Sequence, residues 1–226
     1  MSSLHEVRFP GESAEYRQAR DELLEAEMAL RRQTEAVAAM RRHLPPGGPV
    51  PKDYVFDEGN DAHPVRMSEL FDDKTTLAAY SFMYGPRMVH ACPSCTSMLD
   101  SLDGAAPHIG RQVALAVIAK SSIGRIRDFA RGRGWRNLRL LSSAGNSYNI
   151  DYHGEDSEGS QWPILNVFRK QGRVIRHVYA SELVFAPRDP GQDPRHVDSI
   201  WPLWNLLDFT PDGRGADFQP QLHYPD

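Results

Sequence analysis

Apolar residues recur every seven positions from Tyr16 through Leu23, Leu30 and Val37 to Leu44. Ala19, Ala26 and Met40 fall between them, and Gln33 alone interrupts this second series. Charged residues fill the remaining positions, and residues 12–44 contain neither Gly nor Pro. That is a heptad seam, so the pattern predicts one long helix with a narrow apolar stripe. A narrow stripe suits one partner helix or one groove. Two placements fit it: a helix folded onto its own domain, or an arm that pairs with a second chain as a homodimer through residues 16–44. Pro45-Pro46-Gly47-Gly48-Pro49 then ends the helix and makes a semi-rigid joint. The expected division is a helical arm and joint over 1–49, then a second domain over 50–226.

Beyond the joint the period shortens. Val50 to Phe56 alternates weakly into the turn Asp57-Glu58-Gly59-Asn60, and Val65 to Phe71 reads as a short strand entering a helical turn. Thr75 to Tyr84, rich in β-branched, aromatic and small residues, predicts a buried strand that Gly85-Pro86 breaks. A helix is expected over Pro93 to Leu102. The continuous apolar run Val113 to Ala119 suits a central parallel strand. Ser121-Ser122 can cap a helix to about Ala130, and Leu138 to Ser143 is another strand. The polar stretch Ala144 to Gln161 predicts a long loop. Ile164 to Arg169 and Arg173 to Ala180, separated by Gln171-Gly172, have hairpin spacing, and Ile200 to Leu207 reads as a short helix. Strands alternating with helices and then a hairpin point to a mixed α/β sheet flanked by helices.

Composition narrows the function classes. The chain of 226 residues is 40% hydrophobic and 25% charged, as for an ordinary globular protein. Its 26 basic and 30 acidic residues give a net charge of −4, which argues against a general nucleic-acid binder. No apolar run reaches the ~18 residues of a membrane span, and Met1-Ser-Ser-Leu-His-Glu is no signal core, so a cytoplasmic protein is expected. There is no Gly-rich phosphate loop and no dinucleotide fingerprint, and no cofactor is expected.

The chemistry concentrates in Cys92-Pro93-Ser94-Cys95, which holds both cysteines of the chain. In a reducing compartment a close pair is catalytic or metal-binding more often than structural. A cysteine at the first turn of a helix meets unpaired backbone N–H groups and the positive end of the helix dipole, and both favour thiolate. Cys92 is placed for that role, and Pro93 fits the helix start because its missing N–H costs nothing there. Cys95, one turn on, can resolve a mixed disulfide formed at Cys92. Ser94 is a candidate donor to the Cys92 thiolate, and His90 a candidate proton carrier. The strand before the pair holds no acid, so Tyr84 and His90 are the local candidates to assist Cys95. Asp100 and Asp103 are expected to face solvent. Trp162-Pro163 precedes a strand that enters a hairpin, where a proline in the cis form would lie opposite the dithiol; X-Pro bonds carry only a modest cis cost of ~0.5–1 kcal/mol, and a trans proline at the edge of a strand fits the same residues.

The segments LPPGGPVPKDYVFDEG, SELFDDKTTLAAYSFMYGP, ACPSCTSMLDSLDG, GRGWRNLRLLSSAGNSYNIDY and WPLWNLLDFTPDGRG occur in that order. With them the chain resembles the bacterial family called domain of unknown function 899, placed among thioredoxin-like proteins. The resemblance covers most of the chain and implies a thioredoxin-like fold with dithiol–disulfide oxidoreductase activity at the two cysteines. It implies no known substrate; the expected partner, a disulfide-bearing protein or a small thiol, follows from the dithiol itself. In members of that family His often stands where this chain has Ser81.

Other readings compete. A thioredoxin-fold binding module without turnover would share the same sequence features. A thiol peroxidase of the peroxiredoxin type needs a Pro seven residues and a Thr or Ser three residues before its reactive cysteine. Gly85 and Val89 hold those places before Cys92, and Met88 and Cys92 hold them before Cys95. A zinc site needs four ligands; His90 or His108 could join the cysteines, but no second ligand pair follows. No metal is therefore expected. Arg125, Arg127, Arg131, Arg133, Arg136 and Arg139 read as a solvated basic face, and Trp201 and Trp204 as the packing face of the last helix.

Overall fold

The computed structural model describes residues 4–215 and 217–225. The chain divides into two compact units, one ending at Pro45 and the other starting at Pro46. The first contains α1 (Ala14–Arg42). Ser13 sets its start, with its Oγ accepting the Tyr16 N–H at 3.0 Å. Arg41 and Arg42 lie in the last turn, where they oppose the negative end of the dipole. None of the helix residues is buried.

The second unit is built on a seven-stranded sheet. In chain order the strands are β1 (Val55–Glu58), β2 (His63–Arg66), β3 (Thr76–Ser81), β4 (Ala114–Ala119), β5 (Leu140–Ser142), β6 (Ile164–Gln171) and β7 (Val174–Ala180). Across the sheet they run β2-β1-β5-β4-β3-β6-β7. The centre, β5-β4-β3, is parallel, and the outer strands are antiparallel. Parallel neighbours need crossovers, and helices supply them: α2 (Pro93–Ile109) joins β3 to β4, and α3 (Ile123–Arg133) joins β4 to β5. Both helices lie on one face of the sheet, with the short α5 (Pro202–Leu207). A strand–dithiol–helix unit beside an antiparallel hairpin on the same central strand is a thioredoxin-like mixed sheet.

Alternation along β3 and β4 feeds two cores. Tyr80, Phe82, Val117 and Ala119 face α2 and α3, where they meet Met98, Leu99 and Ile126. Leu77, Ala79, Ala116 and Ile118 face the other way, toward Tyr54, Phe56, Tyr148 and Phe168. Trp201 and Trp204 close the first core, as the sequence suggests, and Trp201 donates to Ser97 Oγ at 3.3 Å.

Several expectations change. The semi-rigid joint is tied to the sheet: the His177 N–H donates to the Gly48 carbonyl at 3.0 Å and the Val50 N–H to the Ile175 carbonyl at 2.9 Å. The segment from Gly48 thus pairs with β7. A Cβ on Gly47 would fall on the His177 carbonyl, so the close approach requires glycine. The loop expected over 144–161 contains α4 (Tyr148–Asp151), whose Tyr148 and Asn149 are buried. Ser122 occupies the N-cap of α3 but its side chain makes no capping bond. Helix α2 runs past Leu102, through Gly104 and Pro107. Pro107 cannot donate to the carbonyl one turn back, at Asp103; the Asn137 side chain donates to it instead, at 3.1 Å.

Candidate active site

Beyond β3 the chain stays on the sheet for one more bond, Phe82 N–H to the Ile118 carbonyl, and then leaves it. The excursion closes where the Cys92 N–H donates to the Met83 carbonyl at 3.1 Å. Arg125, from α3, fills it. Its Nη1 donates to the Gly85 carbonyl at 3.2 Å, and its Nη2 donates to the carbonyls of Met88 and of Val89, the latter at 3.0 Å. The guanidinium also stacks 4.3 Å from the Tyr84 ring centre. A planar five-donor cation suits a ring of carbonyls. Arg87 tethers the outer side by donating to the Glu158 carbonyl. The segment feeding the dithiol is therefore braced from two directions.

Cys92 is the N-cap of α2, in extended geometry (φ −62°, ψ 122°), and Pro93 opens the helix. The Cys95 N–H points at Cys92 Sγ from 3.4 Å. The Thr96 hydroxyl donates to the Cys92 carbonyl at 2.8 Å and fixes the cap from the other side. The Cys92 thiol is lowered to about 7. The main cause is a hydrogen bond from the Cys95 thiol; the backbone N–H groups of Cys95 and Ser94 add to it, and burial opposes it. Cys95 is pushed the other way, well above the usual thiol range, by burial first and by the neighbouring Cys92 sulfur second. The pair is thus asymmetric: Cys92 half-buried and inclined to thiolate, Cys95 buried and held as thiol.

The group that meets Cys95 is one that the sequence reading does not single out. Tyr80, on β3, donates its hydroxyl to Cys95 Sγ at 3.2 Å. Burial pushes the Tyr80 hydroxyl well above its usual range, and the two sulfurs add to that, so it stays a donor.

The other predicted site residues divide. Ser94 acts through its backbone N–H rather than through its hydroxyl. His90 is exposed and makes no hydrogen bond to either sulfur, so the expected proton carrier is not in place. Tyr84 is buried, but its ring packs on Phe82, Phe129 and Arg125 and its hydroxyl does not reach Cys95. All peptide bonds among the described residues are trans, so Trp162–Pro163 is not the expected cis bond. Pro163 precedes the first residue of β6, where a proline removes no ladder hydrogen bond and trans needs no compensation. Trp162 stacks near Phe185, at 5.8 Å, and not on the dithiol.

Asp100 and Asp103 do not simply face solvent. Asp103 is buried and accepts the backbone N–H groups of Arg136, Asn137 and Leu138 at 2.9, 2.8 and 3.1 Å. Asp100 binds Arg133 and accepts the Trp135 indole N–H at 2.7 Å. Arg139 pairs with Glu58 and Asp72. The arginine run is thus largely spent on internal structure, and only part of it is a solvated face. Among the described residues no group of three or more His, Cys, Asp or Glu side chains gathers as metal ligands. No described helix is long and apolar enough to cross a membrane. A cavity of about 740 Å³ lies on the other sheet face, lined by residues such as Asn166, His177 and Phe185, and does not include the dithiol.

The sequence model of a bacterial protein family of unknown function (DUF899) matches residues 6–225. No curated protein matches the chain. Solved structures that match include the peroxidoxin BcpB of Mycobacterium tuberculosis, 15% identical, covering 73% of this chain and 99% of that chain with a TM-score of 0.45. Thioredoxin peroxidase I of Plasmodium yoelii is 16% identical over 80% of this chain and 100% of that one, with a TM-score of 0.45. AhpC of Enterococcus faecalis is 11% identical over 72% and 93%, with a TM-score of 0.46.

Proposed function

The chain belongs to this DUF899 family, and we propose that it is a thioredoxin-like dithiol–disulfide oxidoreductase that works by thiol–disulfide exchange through Cys92 and Cys95. The observation that carries this reading is the asymmetry of the pair at the start of α2. One sulfur is half-buried at a helix cap and inclined to thiolate at neutral pH; the other is buried one turn away and keeps its proton.

The steps follow from that asymmetry. The Cys92 thiolate attacks one sulfur of a disulfide R–S–S–R′. A Cys92–S–R bond forms, the S–S bond breaks, and R′S⁻ leaves and takes a proton from water. Cys92 is then neutral, so the charge that helped hold the proton on Cys95 is gone. Cys95 loses its proton and attacks Cys92 Sγ; the Cys92–S–R bond breaks, and RS⁻ leaves and is protonated. The substrate gains two electrons and two protons, and the protein holds an internal disulfide. Two equivalents of a small thiol reverse the sequence and restore the dithiol. Holding Cys95 as thiol until Cys92 is engaged makes the order of events a property of the site.

Exposed Val89 and Pro93 flank the half-buried sulfur, and the braced segment before them keeps that surface in place. This suits an extended segment carrying a disulfide as the partner. A cytoplasmic setting belongs to the same reading, since there a dithiol is kept reduced between turnovers.

Titration of the purified protein in glutathione buffers, with mass spectrometry of the peptides, tests the reading. A reversible transition to an internal Cys92–Cys95 disulfide is expected. A protein that remains dithiol across the range, or that forms the bond only with peroxide, would refute exchange; the second result would point to peroxidase chemistry.

A further inference from the structure

Tyr80 sits at the centre of the sheet, opposite Val117 on β4 and Leu165 on β6. Its ring belongs to the core beneath α2 and is almost fully enclosed. For packing alone a phenylalanine would serve, because a buried hydroxyl costs free energy unless it is hydrogen-bonded. Among the described residues this one has a single directed use: it donates to Cys95 Sγ, and to no carboxylate or backbone carbonyl. The Cys95 backbone N–H in turn points at the Cys92 sulfur from 3.4 Å. The phenol thus meets the buried sulfur and not the capped one. No acid lies on β3 or on the segment leading to the dithiol.

We propose that Tyr80 is a catalytic residue of the second half-reaction, its hydroxyl holding the hydrogen bond to Cys95 Sγ while that sulfur loses its proton and attacks Cys92. The inference rests on the exchange reading above. In the step, the Cys95–Cys92 bond forms, the Cys92–S–R bond breaks, the electron pair leaves on RS⁻, and the proton given up by Cys95 is balanced by the one RS⁻ takes up. Tyr80 neither gains nor loses a proton. Its work is to replace the water that a buried thiolate lacks. In the first half-reaction Cys95 stays a thiol, so Tyr80 has no charge to stabilise there. The hydroxyl therefore acts on one step and not on the other, which a purely structural tyrosine would not do.

The test uses the full-length protein and Tyr80→Phe, which keeps the ring and removes the donor. A chromogenic aryl disulfide is the probe, with the two half-reactions followed separately in rapid mixing. Formation of the mixed disulfide at Cys92 is expected to keep its wild-type rate and pH profile. Its resolution by Cys95 is expected to slow by roughly ten- to a hundredfold, the range for a hydrogen bond to a charged group, with its pH midpoint moved upward. Unchanged resolution in Tyr80→Phe would overturn the role, and so would equal slowing of both steps, which marks general damage to the site. If the wild type itself never resolves the mixed disulfide, the exchange reading fails first. If it does and the variant matches it, only the role of Tyr80 fails.

Discussion

Helices α1 and α2 are both amphipathic, and they stand in opposite situations. Helix α2 buries Cys95, Met98, Leu99, Leu102 and Ala106 along one face, whereas α1 buries none of its residues. Leu99 is 0% exposed; Leu30, at the centre of the heptad seam, is 67% exposed. The difference lies in what the chain supplies on either side. β3 and β4 are parallel neighbours, so the segment between them must cross one sheet face and is covered there. Helix α1 precedes a proline- and glycine-rich joint and crosses between no strands. An apolar stripe defines a face, and the surrounding topology decides whether that face becomes a core. Chemistry follows the anchored helix, because only a fixed N-terminus can hold a sulfur against its free N–H groups.

The largest break in this comparison is at the anchored end. Cys92→Ser should remove disulfide reduction altogether while leaving the fold intact, since serine is a good N-cap and keeps α2 started. Turnover of an aryl disulfide and the thermal midpoint, measured side by side, check this. A mutant that unfolds as well would mean that the sulfur is needed for structure.

Packing comes next. Leu99→Ala removes a fully enclosed side chain and should cost about 2–5 kcal/mol in denaturant unfolding. Glu35→Ala, at an exposed position of α1 outside the heptad seam, should change the same measurement by no more than about 0.5 kcal/mol. Equal costs at the two sites would remove the contrast between the helices.

The smallest effect on stability concerns assembly. Our reading of the unburied seam is that it pairs with its copy in a second chain, through residues 16–44. Leu23→Asp combined with Leu30→Asp puts charges into that contact and should give monomers that retain the dithiol chemistry. Sedimentation of both forms decides it; a wild type that is already monomeric would end the pairing idea.

Much of this arrangement is legible in the sequence, and the gaps have physical causes. The start of α2 is announced by Pro93 after Cys92, and β4 by seven apolar residues in a row. Both signals are local. The end of α2 is not: the expected helix stops at Leu102, and the donor that lets it run through Pro107 comes from Asn137, thirty residues on. Tyr80 reads as one more aromatic on a buried strand, and nothing nearby tells that its hydroxyl meets a sulfur on the next helix. Arg125 sits in a run of arginines that looks like a solvated face, yet its guanidinium closes on three carbonyls of a segment about forty residues earlier. Long-range polar partners leave no local signal. His90 shows the converse, since closeness in sequence placed it beside Cys92 without bringing it to the sulfur.

The central claim is the asymmetry of the two sulfurs, and one measurement addresses it directly. The reduced protein is alkylated with iodoacetamide at a series of pH values, and each cysteine is counted by peptide mass spectrometry. Cys92 should react first and its rate should be half-maximal near pH 7: below that pH protonation removes the thiolate, and above it the rate levels off. Cys95, held as thiol well above the usual range, should stay unmodified over the same span. Modification of Cys95 first, or equal rates with an ordinary thiol profile at both, would contradict the account.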